Sequence, residues 1–275
     1  MKGDRESTLP AKPDITQYIE IVGERGRIGK STICNRVRDH LEAGGVHVQV
    51  ARIENRKASP PARKGDIRVF VDDADQEIVG GVAALFDPVW AALMEMKAAR
   101  GGALIVDFMA GAETLRTKLH MATSLSELLG RHDILATSLC VTTRDAPVME
   151  QALDSLKATA KIAPSFRRVV AKNELTGRFA AISAASEQAS LDAKLRTEKG
   201  VVELTFPLIQ AAAWQLFEPT QSEMRTVLES SAHDLSAMCQ CSELIAQACQ
   251  NWLAAWWAAT EEQLSLVWPF RETAP

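Results

Sequence analysis

Gly29-Lys30-Ser31-Thr32 stands where an apolar run gives way to a helix-forming stretch, in the segment IEIVGERGRIGKST at 19–32. A glycine-containing loop at such a junction can turn successive backbone N–H groups, here those of Gly26, Arg27, Ile28 and Gly29, toward a phosphate. The N-terminus of the following helix adds partial positive charge. Lys30 would meet the β- and γ-phosphates of a nucleotide, and Ser31 would place its hydroxyl on Mg²⁺. Glycine at position 29 permits the close approach that a bulkier residue obstructs. The bland alternative is a basic surface turn, and the strand-to-helix context favours the phosphate loop. The common pattern G-x-x-x-x-G-K-[ST] is incomplete, because counting back from Gly29 puts Glu24 at its first position.

A second chemical signal is Ala103-Leu-Ile-Val-Asp107, an apolar run ending in a carboxylate, with Gly111 four residues on. A carboxylate at the C-terminal end of a buried strand can hold the water shell of Mg²⁺, and the glycine lets the next loop approach a γ-phosphate. The alternative is an aspartate that merely ends a strand. Asn173 closes another short run, RVVAKN, and asparagine is also a common turn residue.

These residues need elements to hold them. Strands are expected over 15–23, 46–53, 67–71, 103–106, 135–141, 167–171 and 201–206, and helices over 31–44, 87–99 and 146–158. Ile33, Val37 and Leu41 recur at four-residue spacing on one helix face. Alternation of this kind implies βαβ crossovers and a mainly parallel sheet. From residue 220 the pattern turns to helix alone, opening on a Thr220-to-Glu223 capping box, with two long helices expected and a break near 239–242. The expected fold is a doubly wound α/β P-loop domain over 15–219, after a loose arm at 1–14. The helices of 220–275 would pack on that domain or on a dimer partner.

The phosphate loop, Arg25-Gly26-Arg27-Ile28-Gly29-Lys30-Ser31-Thr32, resembles the deviant Walker A motif K-G-G-x-G-K-[ST] of the ParA/MinD family of P-loop ATPases. The resemblance implies ATP and Mg²⁺ as cofactors, with Ser31 and Asp107 at the metal. It also implies a homodimer formed with nucleotide, in which Arg25, aligned with the family's first lysine, reaches the partner's nucleotide. Asp107-to-Gly111 aligns with the family's D-x-P-A-G-like sequence, and Asn173 with an asparagine that recognises adenine. The family carries D-x-D at the end of its second strand. This chain has Arg52-Ile53-Glu54, so Glu54 would take the second carboxylate's place while Arg52 replaces the first. Arg27 stands for the second glycine and Glu24 for the glycine before the signature lysine. These departures bear on hydrolysis more than on nucleotide binding. The acidic cluster Asp72, Asp73 and Asp75 is read as a solvated loop.

The whole chain has 275 residues with a formal net charge of −4, 47% hydrophobic and 24% charged residues. Those proportions exclude wholesale disorder, and the charge argues against coating nucleic acid by bulk electrostatics. Arg52, Arg56, Lys57, Arg63, Lys64 and Arg68 stand against only Glu54 and Asp66, a local excess of six minus two. Such a loop could contact DNA through Arg56, Lys57, Arg63 and Lys64, or be a solvated surface. No apolar stretch reaches the roughly 18 residues of a membrane span, and the polar N-terminus has no signal-like apolar region. The five cysteines fit no zinc pattern and read as reduced thiols of a cytoplasmic protein. Trp252, Trp256, Trp257 and Trp268 lie among few basic residues, which favours protein packing over a membrane surface. Two functions follow: an ATP-binding, dimerising switch ATPase, acting in plasmid DNA positioning or transfer, and a regulator with little or no hydrolysis that works through protein contacts. A small-molecule kinase would need a lid, and no arginine-rich lid segment is evident.

Overall fold

A computed structural model describes residues 15–54, 65–71, 81–210, 213 and 224–269. Its centre is a seven-stranded sheet in the order β3-β2-β4-β1-β5-β6-β7. The strands are β1 (Thr16–Val22), β2 (Val48–Glu54), β3 (Ile67–Phe70), β4 (Gly102–Phe108), β5 (Leu135–Thr142), β6 (Arg167–Asn173) and β7 (Val201–Phe206). Every pairing is parallel. Both faces of such a sheet must be covered, and β4, GALIVDF, is accordingly buried along its whole length. The fold class expected from the sequence is the one observed.

The helices are α1 (Lys30–Ala43), α2 (Gly81–Leu85), α3 (Asp87–Ala98), α4 (Glu113–Thr123), α5 (Leu125–Arg131), α6 (Ala146–Ile162), α7 (Glu187–Thr197), α8 (Met224–Glu229), α9 (Ala232–Cys239) and α10 (Glu243–Ser265). Helices α3 to α7 cover the face that carries Tyr18, Val106 and Val170. Helix α1 and the C-terminal helices cover the other, which carries Ile21, Ile105 and Val169. Alternate strand residues thus feed two separate cores. From β1 the chain steps over to β2 and on to β3 at one edge, returns to place β4 between β2 and β1, and then runs outward on the other side through β5, β6 and β7. The crevice at the strand ends beside β1 is therefore the topological switch point, where such sheets bind ligands.

The strand and helix positions expected from the sequence agree to within a few residues, and four described helices before residue 220, α2, α4, α5 and α7, are additional to those expected. Helix α4 buries Arg116 and His120 along with Leu119, so polar residues break its apolar stripe. Helices α5 and α7 are short, with few apolar residues each. The C-terminal segment has two short helices before its long one rather than two long ones. The chain turns between α9 and α10 at Gln240, whose φ is 53°, so Cys239 and Cys241 do not share a helix. Ser231 and Ser242 cap α9 and α10 by accepting backbone N–H bonds. The capping box at 220–223, the arm at 1–14, and Asp72, Asp73 and Asp75 lie outside the described residues. No described helix is long and apolar enough to cross a membrane.

Helix α10 is pinned on the sheet and on α1. Trp256 Nε1 donates to Pro207 O at 2.8 Å, and Gln263 Oε1 accepts the Thr205 backbone N–H at 2.9 Å. From α1, fully buried Arg36 pairs with Glu261, donates from Nε to Thr260 Oγ1 at 2.8 Å, and stacks 3.9 Å from the Trp257 ring. His40 lies 2.6 Å from Glu261 Oε1 and 2.9 Å from Trp268 O.

Candidate functional site

β1 ends at Val22 and α1 begins at Lys30, so the glycine loop lies at the C-terminal end of the central strand. Gly29 is the N-cap residue of α1 with φ 84°, a left-handed conformation that favours glycine. It offers no capping side chain, and the first turn of α1 holds no acidic residue. The free N–H groups of that turn, with their share of the helix dipole, face the loop uncompensated by any side-chain cap. Lys30 is buried and donates from Nζ to Gly23 O at 2.6 Å. Burial lowers its pKa, and Asp107 and Glu24 act in the opposite direction. A Cβ at Gly23 would stand 2.8 Å from Ile28 Cδ1 and 3.1 Å from Lys30 Cδ, so this glycine lets the loop fold over the strand end. In the sequence Gly23 only ends a strand; its part in seating Lys30 shows in the folded loop.

Arg25, Gly26 and Arg27 are exposed. Arg27, at the position where the family motif has glycine, has φ 61°, a left-handed conformation that the arginine occupies with strain. The Glu24 carbonyl accepts the Gly111 N–H at 3.0 Å, which ties the loop after β4 to the phosphate loop. Burial, helped by Glu113, pushes the Glu24 carboxyl up. Asn173, at the end of β6, donates from Nδ2 to Ile28 O at 2.8 Å. A Cβ on Gly29 would lie 2.2 Å from the same nitrogen, so Asn173 packs against the loop itself.

Strand register decides the rest. Arg52 pairs in register with Asp107, so both side chains emerge on the α1 face of the sheet. Arg52 Nη1 donates to Asp107 Oδ2, Nε to Asp66 Oδ2 and Nη2 to Asn35 Oδ1, each at 3.2 Å. Burial raises the Asp107 carboxyl to about 6, against the pull of Arg52 and Lys30, and the Ser31 side chain also lowers it. Glu54 is taken by Arg68 of β3, which donates to Glu54 Oε2 from Nε at 2.8 Å and Nη2 at 2.7 Å. Asn35 carried no sequence signal, and Asp66 and Arg68 entered the sequence reading only as members of the basic loop; the pairing of β3 with β2 brings Arg68 to Glu54, and the packing of α1 on the sheet brings Asn35 to Arg52.

The structure therefore brings Gly29, Lys30, Ser31, Asp107, Gly111 and Asn173 together around the loop. Thr32 lies half-buried in the first turn of α1. Arg56, Lys57, Arg63 and Lys64 lie outside the described residues. The donor set fits a nucleotide's phosphates: a left-handed glycine, an uncapped helix start and a lysine at a strand end. It does not fit magnesium in the way the motif implies. Ser31 and Asp107 are adjacent, but a guanidinium already occupies one Asp107 oxygen, and Glu54 is paired with another arginine. Among the described residues no group of three or more His, Cys, Asp or Glu side chains is placed to hold a metal ion.

No protein-family profile and no curated protein matches the chain. Among solved structures, it is similar to a ParA family ATPase from Chlorobium tepidum TLS at 12% identity and a TM-score of 0.47, over 88% of this chain and 98% of that one. It is similar to the MinD cell division protein of Aquifex aeolicus at 14% identity and a TM-score of 0.48, over 87% and 96%. It is also similar to the signal recognition particle receptor FtsY from Elizabethkingia anophelis at 15% identity and a TM-score of 0.42, spanning 71% of this chain and 59% of that one. Each is a likeness of overall fold and no more.

Proposed function

We propose that this chain is an ATP-binding switch protein that closes as a homodimer around nucleotide. The observation that supports it is the phosphate loop at the sheet's switch point, where left-handed Gly29 opens α1 and Lys30 is seated on Gly23 O. Phosphate oxygens would take the free N–H groups of the first turn while Lys30 neutralises their charge. The test is calorimetric. Lys30→Ala should weaken ATP binding by at least about tenfold, or 1.4 kcal/mol, and unchanged affinity would sink the assignment.

A second reading is favoured by two ion pairs, Arg52 with Asp107 and Arg68 with Glu54. An arginine-bound carboxylate is a poor group for orienting or deprotonating an attacking water. The switch would then hydrolyse slowly or not at all and act through protein contacts.

Arg25, exposed on the loop, would reach the partner's nucleotide in the dimer. Arg25→Ala should leave monomer affinity nearly intact and reduce ATP-dependent dimerisation. Sedimentation with a non-hydrolysable ATP analogue checks this, and association that ignores nucleotide in both proteins refutes it. DNA is the partner proposed for the basic stretch at 56–64, in plasmid positioning or transfer. Sedimentation with added duplex at low salt should show co-migration, and its absence with and without nucleotide removes that partner. A cytoplasmic location accords with these partners, and fractionation of cells expressing the chain would test it.

A further inference from the structure

We infer that Arg52 replaces magnesium as the counter-charge of Asp107, so that this site takes a nucleoside triphosphate without needing a divalent cation. The inference rests on the nucleotide-binding reading above and names how that site handles charge.

The position of Arg52 is set by the sheet. Register with Asp107 puts the guanidinium beside the carboxylate, and Asp66 and Asn35 hold it from two further directions. Its side chain is about nine-tenths buried, and that of Asp66 is 1% exposed. Swinging Arg52 away would weaken the pairing of two buried carboxylates at once. Guanidinium also stays protonated at any ordinary pH. The charge beside Asp107 is therefore permanent.

In the motif this loop resembles, a carboxylate at the end of this strand attracts a hydrated metal, and the metal screens that carboxylate from the phosphates. Here Asp107 is already screened. A divalent cation approaching Ser31 and Asp107 would meet a fixed like charge 3.2 Å from one of the two Asp107 oxygens. Magnesium keeps several waters and is held by one or two carboxylates plus substrate phosphates, and the carboxylate at this strand end is already shared with a guanidinium. The second carboxylate, Glu54, is engaged by Arg68 in the same manner. Phosphate, in contrast, gains. Arg52 has five N–H groups and commits one each from Nε, Nη1 and Nη2 to its three partners, so donors remain on both Nη atoms. With Lys30 and the helix start, positive charge beside the phosphates comes from the chain itself.

The experiment is ATP calorimetry on the whole chain in excess MgCl₂ and in EDTA, for wild type, Arg52→Asp and Arg52→Lys. Wild type should bind with affinities within about threefold of each other in the two buffers. Arg52→Asp, which restores a carboxylate, should bind at least about tenfold more weakly in EDTA and recover with Mg²⁺. Arg52→Lys, which keeps the charge, should remain insensitive to Mg²⁺. If wild type binds ATP only with Mg²⁺, or Arg52→Asp binds in EDTA as wild type does, the inference is overturned while the phosphate loop stands. If wild type binds ATP in neither buffer, the nucleotide reading falls and the inference with it. Circular dichroism reports whether each variant folds, and the two wild-type titrations decide the matter even if Arg52→Asp does not.

Discussion

Two glycines of one motif carry different weights. Gly29 sits at φ 84°, and a Cβ there would press on Asn173 Nδ2 at 2.2 Å. Gly26 has no positive φ, and a Cβ on it would meet nothing within 4 Å. Gly29→Ala should therefore cost about 1–3 kcal/mol of stability through backbone strain and the displaced amide. It should also weaken ATP binding by at least about tenfold, because the N–H groups of the loop and first turn lose their alignment. Gly26→Ala should leave stability within about 0.5 kcal/mol of wild type. Thermal unfolding and calorimetry on the two variants separate them. Equal effects would show that the loop's left-handed turn is not what positions the phosphate site.

At the scale of elements, the proposed phosphate site is only as well aimed as α1, and α1 is held from behind by α10. Arg36 is the link, buried with bonds to Thr260, the Trp257 carbonyl and Glu261, and its guanidinium lies on the Trp257 ring. Burial lowers the Arg36 pKa while Glu261 opposes this. Arg36→Ala would leave Trp257 without its stacking partner and Glu261 without its guanidinium, while Thr260 Oγ1 still bonds the Trp257 carbonyl and Glu261 still meets His40. The expected cost is about 1–3 kcal/mol. Guanidinium-chloride unfolding followed by near-UV dichroism measures it, since Trp256, Trp257 and Trp268 all sit at this junction. A loss under about 1 kcal/mol would mean that α10 docks by apolar burial alone.

For the whole molecule, the opposite face of the sheet carries a fully buried polar network. Arg116 Nε and His120 Nε2 each lie 2.7 Å from an oxygen of Glu20, and Tyr18 donates to Glu20 at 3.2 Å. Ser138 and Thr159 accept from Arg116 Nη2. Burial works against ionisation of Glu20, but Arg116 and His120 outweigh it and hold the carboxyl at about 2, below its ordinary 4.5. A carboxylate with a depressed folded pKa contributes stability that is fully present above about 4.5 and is lost as pH falls toward 2. Linkage makes that contribution about 3 kcal/mol. Chemical unfolding between pH 6 and about 3 should show this loss in wild type. Glu20→Gln should be less stable at neutral pH by about 3–5 kcal/mol, because Arg116 is left buried and under-paired, and its acid slope should be shallower. Parallel slopes in the two proteins would refute the assignment to Glu20.

The sequence by itself determined the local pieces: apolar runs of strand length, a glycine loop between strand and helix, and the carboxylate ending β4. Those follow from periodicity and backbone preference, which act over a few residues. Alternation of strand and helix also determined a parallel α/β sheet, because parallel neighbours require crossovers. Only the tertiary structure decided what the charged groups do. Arg52 and Asp107 are 55 positions apart, and no spacing rule joins them. Strand order and register place them side by side, and Arg68 meets Glu54 for the same reason. Arg36 finds Glu261, and Glu20 finds Arg116, across the depth of a core. Ion pairs of this kind form where burial makes an unpaired charge too costly. Burial belongs to the packed molecule, so the sequence could name the carboxylates at the site but not the arginines that already hold them.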